Sequence, residues 1–153
     1  MTGFLMKLFG AGKFPPELSA AAQQGPLLVA EQVKLKASGN MVTPGRRASG
    51  FTAMHGGGLV ILPGRVLASF ARYVLIDEDP GAAPLPDACT TCTLDESGLR
   101  IDLDVARLLP GSTGQVAIEV RAPVPLEVLT ALPARQWHGR IATADPQLML
   151  RRI

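Results

Sequence analysis

The stretch that most constrains the fold is residues 57–76, where apolar runs are separated by short turn signals. Residues 58–62 and 66–70 are rich in Leu, Val, Ile and Phe, and Pro63-Gly64 stands between them. Pro fixes φ and Gly tolerates positive φ, so this pair suits a tight turn between antiparallel strands. A third apolar run follows at residues 73–76. The pattern predicts an antiparallel meander at the centre of the core.

The composition indicates one globular domain built mainly of strands. The chain has 153 residues, of which 47% are hydrophobic and 18% charged, and that length is sufficient for a single core. The 16 Gly and 13 Pro residues favour many turns over a helical bundle, because both residue types weaken helix interiors. We predict a domain over residues 14–133, with extensions over residues 1–13 and 134–153.

Charge is distributed unevenly along the chain, although the net charge is only +2. Residues 1–72 contain eight Lys or Arg and two acidic residues, whereas residues 73–104 contain eight acidic residues and one Arg. This segregation would place opposite charges on two sides of a small barrel. Solvated charges on alternating strand faces are the simpler interpretation. The small net charge predicts no nucleic-acid partner.

The sequence predicts a cytoplasmic protein. Two Cys residues in this length indicate a reducing compartment and no disulfide framework. No apolar run approaches the roughly 18 residues of a membrane helix. The N-terminus has no charged segment ahead of its apolar part, so it makes a poor signal peptide.

Helices are predicted at three places. Phe4, Leu5, Leu8 and Phe9 have the spacing of a short amphipathic helical turn. Pro15-Pro16 opens a second helix, which we expect to end near Gln24. Residues 125–132 begin with Pro, are followed by Pro133 and have helical apolar spacing, so they predict a closing helix.

Strands are predicted where apolar and polar residues alternate. Besides the meander, they cover residues 27–36, 46–55, 89–94, 99–103 and 115–121. Residues 95–98 predict a hairpin turn, residues 37–45 a loop, and Gly56-Gly57-Gly58 a turn. Seven or eight short antiparallel strands with a helix before and after them predict a small barrel or sandwich.

Short motifs lie at these predicted turns and strands throughout residues 14–133. They are FPPEL (14–18), LLVAE (27–31), PGRR (44–47), GLVILPGR (58–65), ID (76–77), IDLD (101–104), STG (112–114) and IEVR (118–121). With them the chain resembles an uncharacterised bacterial family of pleckstrin-homology-like (PH-like) domains. The resemblance implies about seven antiparallel strands in two nearly orthogonal sheets, closed at one end by a C-terminal helix. It implies no catalytic residue, and Leu62-Pro63 stands where such proteins tend to have Leu-Thr.

Two motifs resemble catalytic or metal sites without completing them. His55 and the three glycines after it match an oxyanion-hole pattern of lipases, but no Gly-x-Ser-x-Gly accompanies them, so we interpret the glycines as a turn or bulge. Cys89 and Cys92 form a Cys-x-x-Cys with no second pair, and only His55 and His138 would complete a metal site. On a strand, positions 89 and 92 point to opposite faces, which favours two ordinary thiols.

Two charged groups are the remaining candidate sites. Asp102 and Asp104 would share one exposed strand face, and without a third ligand nearby we interpret them as surface charge. Lys34, Lys36, Arg46 and Arg47 flank the first long loop, where phosphoinositide-binding PH domains hold the headgroup between basic residues. Since Arg46 and Arg47 are adjacent, they should face opposite ways, and a solvated strand face is the simpler interpretation.

We therefore expect a non-enzymatic binding or scaffold module without a cofactor, acting through protein–protein interaction or self-association. Apolar residues of the two extensions motivate this expectation: Phe4, Leu8, Phe9, Trp137, Leu148 and Leu150. The alternative is an anionic lipid or phosphate ligand bound by Lys34, Lys36, Arg46 and Arg47. A third hypothesis, a small enzyme of unrecognised type, would require a pocket in which polar groups with shifted pKa values converge.

Overall fold

The protein is a mainly β fold in which eight antiparallel strands form a nearly closed barrel with short flanking helices, which confirms the predicted fold class. The computed structural model describes residues 6–8, 15–83 and 85–153. The strands are β1 (Met6–Leu8), β2 (Leu28–Thr43), β3 (Arg46–Leu62), β4 (Arg65–Phe70), β5 (Tyr73–Glu78), β6 (Thr90–Asp95), β7 (Gly98–Asp104), β8 (Thr113–Arg121) and β9 (Gln136–Gly139).

The helices are α1 (Pro16–Ala21), α2 (Val105–Leu108), α3 (Leu126–Thr130) and α4 (Pro146–Arg152). Within the described residues, none has the length and apolar character that spanning a membrane requires. The predicted helices beginning near Pro16 and near Pro125 are confirmed as α1 and α3.

The barrel consists of two antiparallel meanders joined through β2. Strand order is β5-β4-β3-β2-β8-β7-β6-β9. The two ends of the sheet approach each other, and a hydrogen bond joins the chain after β9 to β5: the Ala142 N–H donates to the carbonyl oxygen of Leu75 at 2.8 Å. The Arg140 N–H also donates to Oε1 of Glu78 at 2.6 Å. The chain after β9 therefore closes the barrel against β5.

The central meander is buried on both of its faces. Inside the barrel, Leu59 and Ile61 belong to the main core, whereas Val60 and Leu62 belong to a second cluster on the outer face. Leu18 of α1 is fully buried in that second cluster. Two-sided burial explains why this stretch is continuously apolar instead of alternating. The two-residue turn predicted at Pro63-Gly64 is confirmed, since Leu62 pairs with Arg65.

Two predicted interruptions, the loop over residues 37–45 and the turn at residues 56–58, are wrong. β2 continues through Thr43 and pairs with β3 on one side and β8 on the other, so its polar residues line the outer face of a strand. β3 likewise continues through the three glycines. At Gly57 a Cβ would lie 2.7 Å from the carbonyl oxygen of Ser69, so this Gly permits close approach of two strands.

The C-terminal residues 134–153, which the sequence predicts as an extension, pack on the barrel. β9 pairs with β6, and Trp137 on β9 is only 5% exposed. Met149 and Leu150 of α4 are buried in the main core together with Ile153. These apolar residues of the predicted extension are therefore part of the same core as the strands.

The N-terminal segment contains a strand where the sequence predicted a helical turn over residues 4–9. β1 pairs in parallel with residues 28–30 of β2. The edge of β2 at these residues offers backbone N–H and C=O groups to β1. The spacing of apolar residues within the segment gives no information about such a distant partner. Phe4 and Phe9 lie outside the described residues, so their predicted role in interaction remains a prediction.

Candidate binding site at the barrel mouth

The site begins where β3 runs past β4. β3 pairs with β2 over residues 46–61, but its pairing with β4 starts only at Gly57, which faces Phe70. After Phe70 the chain turns through Ala71 and Arg72 into β5, and the Ala71 N–H donates to the carbonyl oxygen of Gly56 at 3.0 Å. The β4–β5 turn thus ends against the side of β3, and the first half of β3 projects beyond it.

Helix α4 supplies the second wall of the site. Asp145 caps its N-terminus by accepting from the Leu148 N–H at 3.0 Å, and Pro146 occupies its first turn. At the other end, Arg46 Nη1 donates to the carbonyl oxygen of Leu150 at 2.9 Å. This bond ties the C-terminus of α4 to β3, and a cation there also suits the helix dipole.

These elements enclose a concavity of about 410 Å³, which we call the mouth pocket. Its lining residues come from β3, the β4–β5 hairpin and α4: His55, Gly56, Phe70, Ala71, Arg72, Tyr73 and Arg152. Two of them are Arg and none is acidic. The side chains of Arg72 and Arg152 are exposed at the pocket's opening. The mouth pocket therefore joins an aromatic floor to a cationic rim.

His55 is the distinctive residue of the floor. Its Nε2 atom is buried and has no hydrogen-bond partner among the described residues. Its ring stands edge-on to Phe70, with centroids 4.7 Å apart at 75°, and Phe70 in turn stacks on Tyr73 at 5.9 Å. Burial lowers the pKa of His55 from its usual value, so the ring is mostly uncharged at neutral pH. A buried polar atom without a protein partner is rare in folded proteins, and a water or a polar group of a ligand would supply the missing bond.

The basic residues predicted to bind an anion do not come together. Lys34 and Lys36 lie on the outer face, opposite Arg121 and Glu119 of β8. Arg47 pairs with Val42, six positions beyond Lys36, and is therefore about 20 Å away along the sheet. Arg46 instead binds carbonyl groups of α4. The separation arises because the predicted loop between them is a continuation of β2 and β3.

The cysteines are packed as core residues. Both are buried in the main core, and β6 begins only at Thr90, so Cys89 lies outside the strand to which the expectation of opposite faces applied. Burial raises the pKa of the Cys92 thiol to about 12, so it is not a thiolate at neutral pH. Across the described residues, no group of three or more His, Cys, Asp or Glu side chains is placed to hold a metal.

The two strand carboxylates are engaged with neighbouring groups. Asp102 pairs with Arg100 at 3.0 Å, and Asp104 accepts from the Ala106 N–H at 3.1 Å as the N-cap of α2. Both lie along one groove with His138, whose Nδ1 is 3.2 Å from Thr91 Oγ1. These contacts assign the carboxylates to surface pairing and helix capping.

Two of the residues predicted to mediate interaction lie inside the protein. Trp137 is 5% exposed and Leu150 is 2% exposed. Leu148, on the other side of α4, is 37% exposed. Leu8 lies on β1. The apolar character of the C-terminal segment therefore serves the core, and Leu148 alone of its three predicted contact residues faces solvent.

Sequence reasoning missed the mouth pocket because its residues come from three distant segments. One signal was available: Asp145-Pro146 followed by apolar residues and two arginines has the pattern of a capped helix. That pattern would have placed Arg152 at a helix C-terminus. Nothing in the sequence indicates that this helix ends beside His55.

The chain matches no protein-family model, no curated protein and no solved structure. The functional assignment therefore rests on the geometry and chemistry of the described residues.

Proposed function

We propose that this protein is a non-enzymatic binding module for a protein partner, and that the mouth pocket holds an anionic group of that partner. The observation that carries the proposal is the buried, unpartnered Nε2 of His55 in a pocket rimmed by Arg72 and Arg152. Guanidinium groups donate in a planar fork that fits carboxylate and phosphate oxygens. An imidazole that gains a proton beside an anion would complete the set of donors.

The chemistry of the lining supports binding over catalysis. Among the described residues that form the mouth pocket there is no carboxylate, thiol or aliphatic hydroxyl to act as a nucleophile or as a second acid or base. The groups present orient and neutralise an anion, and the partly exposed ring of Tyr73, which stacks on Phe70, offers an apolar surface for its neighbouring atoms. Such a combination of apolar surface with few polar groups is typical of ligand sites.

We extend the proposal to family and location. The strand order, two meanders joined through β2, supports assignment to the PH-like domains that the sequence resembles. The two buried free cysteines support a cytoplasmic location.

The direct test is titration of the protein with inorganic phosphate and, separately, acetate, followed by NMR of backbone amides and of the His55 ring. We expect shifts confined to residues of the mouth pocket. Arg152→Gln should weaken binding about tenfold, the loss expected for one charged hydrogen bond. Arg151→Gln is the matched control, because it removes the same charge from the adjacent position of α4 and does not line the pocket.

Two further variants test whether the anion binds instead on the outer face of β2. Lys34→Gln and Lys36→Gln should leave anion binding unchanged if the mouth pocket is the site. Equal losses from Arg151→Gln and Arg152→Gln would indicate only general electrostatic attraction and would contradict the proposal. Loss of binding in the two Lys variants would place the site on the outer face of β2 instead.

A further inference from the structure

Beside the mouth pocket, β3 has a long edge that no strand covers among the described residues. β4 pairs with β3 only from Gly57 onward, whereas β3 begins at Arg46. Over residues 46–55, the described pairing partner of β3 is β2 alone. The N–H and C=O groups that point away from β2 along this stretch are placed to bond a further strand.

The regular part of this edge is residues 51–56. Before it, Ser49 and Gly50 form a bulge that Asn40 holds, its Oδ1 accepting from the Gly50 N–H at 2.6 Å. From Phe51 to Gly56 the register with β2 has no shift. Natural edge strands are commonly protected by charges or Pro, and residues 51–56 contain neither. Thr52, Met54 and Gly56 are exposed, with Met54 at 53%.

The open edge leads directly into the mouth pocket, because His55 and Gly56 belong to both. A strand added along residues 51–56 would lie in line with β4 and would stop at Ala71 and Arg72. The end of the added strand would therefore face the guanidinium groups of Arg72 and Arg152. Edge and pocket together have the form of a site for an extended peptide, with main-chain bonds along the edge and one side chain in the pocket.

Charge favours an acidic occupant. Arg72 and Arg152 stand at the pocket end of the edge and Arg47 at its far end, and the described residues of edge and pocket include no acid. Glu17 and Asp77 lie in the neighbouring groove, and Asp77 is already paired with Arg65 at 2.7 Å. A second copy of this chain would bring Arg47 and its own cationic rim to a cationic edge, which disfavours self-association here.

We propose that the site binds an extended acidic peptide by strand addition to residues 51–56 of β3, with an Asp or Glu side chain of the peptide in the mouth pocket. This inference rests on the proposed function and specifies the partner. A peptide segment of about six residues, each with a rise of about 3.4 Å along the strand, is needed to follow the edge.

The experiment uses an acetylated and amidated peptide of about eight alternating Thr and Val residues with two Asp residues at one end, a length that covers the edge. Forms with the Asp pair at either terminus allow both strand directions. We expect one form to bind by calorimetry and its Asn-for-Asp counterpart to bind at least about tenfold more weakly, because each charged contact is worth roughly that factor. Arg152→Gln should cause a similar loss, and Arg151→Gln should not.

Backbone methylation separates strand addition from simple ionic attraction. Two versions of the binding peptide carry N-methyl groups on every second residue, in opposite phases. A strand donates to an edge with alternate N–H groups, so one version should lose at least about tenfold in affinity and the other should bind normally. Alternate amides among residues 51–56 should also exchange more slowly with solvent when the peptide is bound.

Equal affinities of the two methylated peptides, or unchanged exchange at residues 51–56, would overturn strand addition. If phosphate still bound the mouth pocket in those circumstances, the proposed function would stand and only this inference would fall. If neither phosphate nor the peptide shifts the NMR signals of the His55 ring, both the proposed function and the strand-addition inference are contradicted.

Discussion

Deleting residues 134–153 is expected to unfold the barrel. The deletion removes β9 and α4, and with them Trp137, Met149, Leu150 and Ile153, all buried in the main core. Truncating one large buried side chain to Ala typically costs about 2–5 kcal/mol, and a domain of ordinary stability has only about 5–15 kcal/mol in total. The shortened chain should show no cooperative unfolding in denaturant and poor dispersion of amide resonances.

Two single substitutions on α4 control for nonspecific effects of the deletion. Leu150→Ala should lower the free energy of unfolding by about 2–5 kcal/mol, because Leu150 is buried. Leu148→Ala, on the exposed side of the helix, should lower it by less than about 1 kcal/mol. A cooperatively folded chain of residues 1–133 would contradict the structure and restore the C-terminal extension that the sequence suggested.

Gly114→Ala is expected to be strongly destabilising. Gly114 has φ +122° and faces β2 so closely that a Cβ would collide with the carbonyl oxygen of Asn40 and lie 2.7 Å from Cα of Met41. Both obstacles are backbone atoms, which cannot rotate away. We expect a loss of at least about 3 kcal/mol in unfolding free energy, since conformational strain and steric clash add.

The matched control for this substitution is Gly45→Ala. Gly45 also has positive φ, at +80°, but a Cβ there would meet nothing within 4 Å. Its replacement should cost only the conformational penalty, about 1 kcal/mol. Denaturant unfolding of the two variants therefore separates the clash from the strain. Similar costs for both would show that β2 and β8 are not packed as closely at Gly114 as described.

The sequence predicts the parts of this fold that local pattern determines. The Pro63-Gly64 turn, the hairpin at residues 95–98 and the alternation of β7 and β8 each follow from a few adjacent residues, and all are present. The errors arise where tertiary contacts override local signals. Gly57 looks like a turn residue, but it lies within a strand because its missing side chain makes room for Ser69 and Leu35.

The candidate site was beyond sequence reasoning for a related reason. The basic residues near residues 34–47 are close in sequence, yet a long hairpin spreads them over two faces and about 20 Å. Conversely, Arg72 and Arg152 are 80 residues apart in the chain and line one pocket. His55 attracted notice through the glycines that follow it and as a possible metal ligand, whereas its relevant features are a buried ring nitrogen without a partner and packing on Phe70, which is 15 residues away in the chain.

The most direct test of the account is the pKa of His55, measured by NMR of its ring with and without saturating phosphate. Without ligand, burial should hold this pKa below the ordinary value of 6.5. A bound anion stabilises the protonated ring, so phosphate should raise the pKa, and acetate, which stays ionised in this range, should by linkage bind more tightly as pH falls. A pKa of His55 that phosphate leaves unchanged would contradict the central claim that the mouth pocket is an anion-binding site.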